Sequence, residues 1–317
     1  MLKIVDTPPI VDEQNAEIIP VEKKKKKVSF SQYSKWLKCP NQYYLDYILG
    51  HKKIEFNLSL FFGTAMHFAL QTYLETLYTK GVDSANLINV NTLFETKFKE
   101  EIEKEKTKFT YTEDEYKGYV CDGEDIIEYL LTKGNRERYF PKDKYEFIGV
   151  EIPLDMEILN NVNFIAYVDL ILKDKITGKI KIYDFKTAAV GWNNYMKEDE
   201  AKYSQILLYK AFYSKKFNIP LSQIEIEFFI LKRKLYEGVS YPQSRIQTFE
   251  PNHSHNAIAD ALNGFIKFVK ECFTVDGEYN KTSSYPKIPG KAKKNCKYCG
   301  HYKTTCDAKP DKIEQFI

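Results

Sequence analysis

The chain has 317 residues, of which 43% are hydrophobic and 15% aromatic, so it can bury a sizeable core as one large domain or two small ones. Its formal net charge is +3, but Lys23 to Lys27 supply five of the positive charges, and without that run the chain is slightly acidic. No run of about 18 apolar residues is present and no apolar leader follows the first residues, which predicts an intracellular, cytoplasmic protein without a membrane span.

The N-terminal part is predicted to be a tail followed by helices. Residues 1–28 carry three prolines and the lysine run, which predicts a disordered basic tail that is either solvated or a nucleic-acid-binding arm. Ordered structure is expected to begin at Ser29, with a helix through Trp36 to Tyr44. A second helix is predicted from Phe61 to Tyr78, and residues 92–135 are also predicted to be helical.

Strands are predicted from about Tyr145 onward. The predicted strands cover 145–153, 162–172, 179–186, 224–231 and 244–249, with helices at 202–215 and 255–273. This order favours an α/β fold with a mixed central β-sheet flanked by helices. The expected divisions are a helical N-terminal region (29–140), a core (141–250) and a C-terminal helix with a cysteine-bearing segment (251–317).

Two acidic residues and a lysine are the first candidates for a functional site. Asp184 and Lys186 alternate around Phe185 in a predicted strand, so their side chains point to one face. The turn near Gly178 would bring Asp169, which lies in an apolar strand, antiparallel to them. Two carboxylates can share one divalent cation, although the same residues would also suit a structural ion pair.

These residues resemble a known nuclease motif. Asp169 followed by Asp184-Phe185-Lys186-Thr187 is similar to the motif of PD-(D/E)XK nucleases, specifically their RecB-like branch, which has a restriction-endonuclease-like core. Phe62-Gly63-Thr64-Ala65-Met66-His67 resembles the helix motif of that branch, and Gln205 to Tyr209 resembles its Gln-x-x-x-Tyr motif. The resemblance covers about residues 29 to 306, and it departs at Ala166, where the family usually has glycine.

The resemblance implies a role for each matching residue. His67, Asp169, Asp184 and the carbonyl of Phe185 would bind Mg²⁺ or Mn²⁺, and Lys186 would be catalytic. Gln205, Tyr209, Lys293 and Lys294 would hold DNA. Apart from the resemblance, a histidine between Phe62 and Phe68 is more typical of a core, and Gln205 and Tyr209 would simply cap and pack their helix. Glu151 is a further candidate, joined to the site through a water molecule.

The cysteines predict a second metal centre. Cys296, Cys299 and Cys306 lie close together in the C-terminal segment, and Cys39 is the natural fourth ligand. Alternatives are a Cys₄ zinc site or His301 in place of a cysteine, and Cys121 and Cys272 are expected to be incidental. The RecB-like resemblance includes AddB-type and CRISPR-associated nucleases in which one cysteine ahead of the core and three behind it hold a 4Fe–4S cluster.

The expected function is that of a metal-dependent DNA nuclease. The resemblance favours an exonuclease that acts on single-stranded DNA or DNA ends in recombination, repair or replication. No helicase motif is present, so a helicase or recombination partner would be a separate chain. A non-catalytic DNA-binding or scaffold module that keeps the fold and a Cys₄ site is the alternative, and an RNA-directed enzyme also remains open.

Overall fold

The computed structural model describes residues 25–52, 56–291, 294–297 and 299–307. Within these residues six strands form one mixed sheet in the order β1-β3-β4-β5-β6, with β2 paired to β3. The strands are β1 (Lys26–Val28), β2 (Tyr145–Leu159), β3 (Val162–Asp174), β4 (Ile180–Ala188), β5 (Ile224–Lys232) and β6 (Ile246–Phe249).

Helices cover both faces of this sheet. They are α1 (Phe30–Lys38), α2 (Pro40–Tyr43), α3 (Leu58–Lys80), α4 (Val82–Asn86), α5 (Val90–Glu105), α6 (Glu113–Leu131), α7 (Lys133–Tyr139), α8 (Asn194–Lys197), α9 (Glu200–Phe217) and α10 (His255–Cys272). A π-helical turn at Tyr44–Ile48 follows α2, and a 3₁₀ turn at Leu221–Gln223 precedes β5. This architecture confirms the predicted α/β class.

Two apolar cores lie on opposite faces of the sheet. The first core joins α1, α9 and α10 to the sheet through side chains such as Phe164, Phe212 and Phe265. The second core joins α3, α5 and α6 to the other face, with Phe62 and Phe94 among its buried rings. Residues from all three predicted ordered divisions therefore share the first core, so the sheet and its helices are built as one unit.

Strand β3 pairs with three other strands. Strand β2 runs antiparallel to it along its first edge, and β4 pairs with Leu170–Lys173 along its second edge. Parallel strand β1 pairs with Val162–Phe164. A strand has only two edges, so β1 and β4 share the second edge of β3. Among the described residues, the stretch between Phe164 and Leu170 has no ladder partner on that edge, and Asp169 lies within it.

The predicted tail needs one correction. Residues 26–28 were expected to be disordered, with order beginning at Ser29, but they form β1 and pair with β3. Lys25 and Lys27 are held there by Glu157 at 2.5 Å and Asp155 at 2.6 Å. Residues 1–24 lie outside the described part of the chain. None of the described helices combines the length and apolar character needed to cross a bilayer.

Candidate active site and cysteine centre

Asp184 and Lys186 lie side by side near the C-terminal end of β4. The strand alternation points both toward α9, while Phe185 between them packs into the second core. The Asp184 carboxyl is only 2% exposed, and its Oδ2 lies 2.6 Å from Nζ of Lys186. Burial raises the pKa of Asp184 to about 6, and Asp169 adds to that rise while Lys186 opposes it.

Asp169 lies where β3 and β4 separate. Their pairing ends at Leu170 with Tyr183, so the next two residues along are Asp169 and Asp184. Instead of continuing the ladder, Oδ2 of Asp169 accepts a hydrogen bond of 2.6 Å from the backbone N–H of Phe185. The backbone also changes course here, because Val168 packs in the first core and Leu170 in the second. This divergence leaves both carboxyl groups facing one space.

His67 reaches this space from the other side of the sheet. It lies on α3, and its Nδ1 is 3.4 Å from Oδ1 of Asp169. Its ring packs edge-on against Phe185, with the ring centroids 5.9 Å apart. Burial is the largest single effect on His67 and lowers its pKa, but the charge and hydrogen bond of Asp169, together with the charge of Asp184, raise the pKa overall. The helix motif and the Asp/Lys motif therefore meet at one place.

Gln71 and Glu151 extend the polar network behind Asp169. Gln71 lies one helical turn after His67, and its Nε2 donates to Oε1 of Glu151 at 2.6 Å and to the carbonyl of Asp169 at 3.1 Å. Glu151 has a φ of 49°, an uncommon conformation for a residue with a side chain. Its neighbours in β2 pair with Leu170 and Val168, which places Glu151 opposite Asp169. Sequence reasoning considered Glu151 but missed Gln71.

Gln205 connects the catalytic candidates to α9. Its Oε1 accepts a hydrogen bond from Nζ of Lys186 at 2.9 Å, and its Nε2 donates to the hydroxyl of Tyr209 at 2.8 Å. Tyr209 is only 5% exposed, so its ring supports Gln205 from within the first core. Both residues were predicted to hold DNA; the geometry gives Lys186 a fixed position through Gln205.

The chemistry of these donors fits a hard divalent cation. Asp169, Asp184 and Glu151 offer carboxylate oxygens, which are the ligands that Mg²⁺ and Mn²⁺ prefer, and His67 adds an imidazole nitrogen, a softer ligand that suits a transition metal better than Mg²⁺. Oδ2 of Asp184 is buried and accepts no hydrogen bond of normal geometry from the described residues. Nevertheless, no three His, Cys, Asp or Glu side chains in the described part of the chain are already arranged to hold a metal ion. The ammonium of Lys186 is the positive charge next to Asp184.

The four predicted cysteines lie together where the first helices meet the cysteine-bearing segment. Cys39, Cys296, Cys299 and Cys306 line one cavity of about 20 Å³. Ile288 N–H donates to Sγ of Cys39 at 3.4 Å, and Nδ2 of Asn41 donates to Sγ of Cys306 at 3.6 Å. Burial raises the pKa of the Cys299 thiol. Donors directed at sulfur suit thiolate ligands, and a cavity of this volume is roughly the space of one small ion or water.

His301 is next to this cavity but has another role. It is almost fully buried, and its Nε2 lies 2.6 Å from Oδ1 of Asp46 while its Nδ1 lies 2.9 Å from the hydroxyl of Thr305. Oδ2 of Asp46 contacts the ammonium of Lys35 on α1. Both ring nitrogens are therefore engaged, which argues against His301 replacing a cysteine. The ion pair of Lys35 with Asp46 and the hydrogen bond of Asp46 with His301 instead connect the C-terminal segment to the first helices.

The other predicted positions are also placed. Lys294 is exposed, and its Nζ lies 4.0 Å from the centre of the Tyr195 ring, whereas Lys293 lies outside the described residues. Cys121 is exposed and Cys272 is buried in α10, both apart from the four-cysteine cavity.

Comparison of the chain with models of protein families identifies one family. A model of the PD-(D/E)XK nuclease superfamily matches residues 27–307 of this chain. A solved structure described as a candidate exonuclease from Eubacterium rectale is 15% identical to it, with 83% of this chain and 86% of that chain covered and a TM-score of 0.47. No curated protein matches the chain.

Proposed function

The chain belongs to the PD-(D/E)XK nuclease superfamily, and on that premise we propose that it is a metal-dependent DNA nuclease acting as an exonuclease on single strands or DNA ends. The observation that carries the proposal is the convergence of Asp169, Asp184 and Lys186 where β3 and β4 separate. The proposed pathway is recombination, repair or replication.

His67, Asp169, Asp184 and the carbonyl of Phe185 are the proposed metal ligands, with Glu151 behind them. A bound Mg²⁺ or Mn²⁺ would polarise the phosphoryl oxygen and lower the pKa of a bound water. Lys186 provides a fixed ammonium at the same place, because Asp184 and Gln205 hold its Nζ from two sides. That ammonium can orient the attacking water or stabilise the negative charge that develops on the phosphate.

The proposed branch is the RecB-like and AddB-like one, and the proposed occupant of the cysteine centre is a 4Fe–4S cluster. Four cysteines around one cavity support a metal centre, with zinc as the alternative. A cavity of about 20 Å³ would have to widen for a four-iron cube, whereas one zinc ion needs little rearrangement. Anaerobic purification is expected to give a brown protein; a colourless protein with one equivalent of zinc would contradict the iron assignment.

The nuclease proposal is tested by cleavage of end-labelled DNA in Mg²⁺ or Mn²⁺. Asp184→Ala and Lys186→Ala are expected to reduce the rate by roughly 10²-fold or more, the usual cost of removing a group that stabilises the transition state. Lys173→Ala, an exposed change on β3, is the matched control and should leave the rate unaltered. Unchanged cleavage in both active-site variants would overturn the assignment.

The same assay separates the remaining functional alternatives. Strands blocked at the 5′ or the 3′ end distinguish the two polarities, and circular single strands distinguish endonuclease from exonuclease action. Labelled RNA of the same sequence tests an RNA-directed enzyme. Binding of DNA without cleavage under either metal would favour the non-catalytic scaffold.

A further inference from the structure

Four lysines from separate elements gather beside the candidate active site. Lys38 ends α1, Lys186 lies on β4, Lys202 lies in the first turn of α9, and Lys294 belongs to the cysteine segment. The pKa of Lys202 is lowered, first by burial and then by the positive charges of Lys38, Lys186 and Lys294. Asp199 opposes this effect. We call these four lysines, together with Tyr195, the basic strip.

Hydrogen bonds between elements hold the strip in place. Nδ2 of Asn295 donates to the carbonyl of Lys38 at 2.8 Å, which joins the cysteine segment to α1. The hydroxyl of Ser34 donates to the carbonyl of Ala201 at 3.0 Å, which joins α1 to α9. The carboxylate of Asp199 accepts the N–H of Ala201 at 3.1 Å as the cap of α9, so part of its hydrogen-bonding capacity is already used. Positive charges that are held close together in this way attract a polyanion such as DNA.

Tyr195 adds an aromatic surface to these charges. Its side chain is 61% exposed on the short helix α8, and the ammonium of Lys294 lies over its ring and contacts its hydroxyl. Three residues before Tyr195, the buried ring of Trp192 has its centre 5.2 Å from Nζ of Lys202. Proteins that bind single-stranded nucleic acid combine a basic groove with exposed rings on which bases stack. Bases inside a duplex already stack on their neighbours, so an exposed ring stacks most readily on the bases of a single strand.

The strip also has a direction. Lys294 lies in the cysteine segment, which is bonded to Lys38 through Asn295, and Lys186, which contacts Asp184, marks the end at the candidate metal site. We propose that a single strand of DNA runs along the basic strip from Lys294 past Tyr195 and Lys202 to Lys186. In this path Tyr195 stacks on a base and Lys202 and Lys294 contact phosphates. The path rests on the proposed nuclease function but concerns binding.

Binding in EDTA tests the path without any cleavage. Fluorescence anisotropy of labelled oligo-dT, measured with the full chain over a range of salt concentrations, gives the affinity and its salt dependence. Lys202→Gln and Lys294→Gln are each expected to weaken binding and to reduce the slope of log K against log salt by about 0.7, the value for one lost contact with a single-strand phosphate. Lys215→Gln at the far end of α9 is the control for a lost surface charge.

Tyr195 is tested by a pair of variants. Tyr195→Leu is expected to weaken binding about 5- to 150-fold, which corresponds to the 1–3 kcal/mol of one stacked base. Tyr195→Phe keeps the ring and should recover the affinity for oligo-dT. Blunt duplex of the same length should respond little to either change. Thermal unfolding of each variant verifies that the fold is intact.

The outcomes separate the two proposals. Affinity that is the same in Lys202→Gln, Lys294→Gln and Tyr195→Leu as in the wild type would overturn the path and leave the nuclease assignment to its cleavage assay. A chain that binds oligo-dT through these residues and cuts no DNA would keep the path and overturn the nuclease. If Lys202→Gln, which is half-buried, loses the fold, the exposed Lys294→Gln decides the charge part of the test.

Discussion

At the scale of single residues, Asp184 places a carboxyl group where ionisation is costly. Burial raises its pKa from 3.8 to about 6, so ionisation of this side chain destabilises the fold increasingly between about pH 4 and 6 and fully above pH 6. Asp184→Asn removes this cost while it also removes a proposed metal ligand. We expect the variant to lose cleavage and yet to be more stable than the wild type by about 1–3 kcal/mol at pH 7 in EDTA.

Urea unfolding at several pH values measures this trade-off. The folded-state pKa is raised above the unfolded value, so the advantage of Asp184→Asn should be full above pH 6 and should disappear as the pH falls toward 4. Addition of Mn²⁺ should stabilise the wild type more than the variant, because ligand binding stabilises the folded state. A variant that is less stable than the wild type at pH 7 in EDTA would contradict the interpretation.

Gln71 is a positioning residue at the same site. It holds Glu151 and the backbone of Asp169 through one side-chain nitrogen. Gln71→Met keeps the volume and removes both hydrogen bonds. We expect the Mn²⁺ concentration for half-maximal cleavage to rise roughly 10-fold or more, since lost outer-shell partners commonly cost that much metal affinity. A change in the maximal rate with no change in metal dependence would argue for a different role.

Residue type and spacing predicted which residues lie beside Asp184, but they did not predict Gln71, which holds Asp169 and Glu151 in position. Strand alternation was sufficient to put Asp184 and Lys186 on one face, and the turn at Gly178 was sufficient to bring Asp169 alongside. Gln71 could not be found this way, because a buried glutamine in a helix has no sequence signature and its partners are 80 and 98 residues away. The functional roles of the site residues stay predictions.

At the scale of elements, the packing of α6 on α5 depends on the absence of a side chain. A Cβ atom on Gly123 would lie 2.3 Å from the ring of Phe94, which is itself fully buried. Gly123→Ala is therefore expected to destabilise the protein by about 1–3 kcal/mol through overpacking. Gly118 lies on the same helix with nothing within 4 Å of the added atom, so Gly118→Ala should stabilise by about 0.5–1 kcal/mol.

Urea unfolding of the two alanine variants compares them directly. The change in helix propensity is the same in both variants, so the difference between their free energies of unfolding measures the contact with Phe94. A stabilising effect of Gly123→Ala would show that α5 can move away at little cost.

The elements that could not be predicted are those set by distant partners. Strand β2 was expected to end at Pro153 but continues to Leu159, because a proline is tolerated in a strand at the edge of a sheet. Strand β1 is three residues of a lysine-rich segment, in which Lys25, just before the strand, and Lys27 bind Glu157 and Asp155, about 130 residues later. By contrast, helices α3, α9 and α10 and the strands β3, β4 and β5 were predicted nearly to their ends, whereas the helical stretch predicted at 92–135 is divided into α5, α6 and α7.

At the scale of the whole molecule, the cysteine centre connects residues that are 257 positions apart, Cys39 and Cys296. Ligand binding to such a centre contributes to folding, and loss of one ligand should remove most of that contribution. Cys39→Ser and Cys306→Ser are each expected to lower the melting temperature by about 5 °C or more. In a large domain, each kcal/mol of lost unfolding free energy lowers the melting temperature by roughly 2–4 °C.

The double variant makes this prediction specific. Cys39→Ser with Cys306→Ser should be little less stable than either single variant, because both changes destroy the same centre. The exposed Cys121→Ser serves as the control and should melt like the wild type. Additive losses in the double variant would mean that the four thiols pack independently and share no metal.

The separation of β3 from β4 leaves one backbone amide whose hydrogen bond depends on the state of the candidate metal site. The backbone N–H of Phe185 donates to the side-chain carboxylate of Asp169, where the ladder between β3 and β4 has ended. Its NMR resonance should therefore shift when a divalent cation draws on that carboxylate, whereas the amide of Ile182, inside the paired stretch, should stay in place. A titration with Mg²⁺ followed at these two amides would measure metal affinity in the absence of DNA. The amide of Phe185 would then show whether the candidate metal site is occupied before any DNA is cleaved.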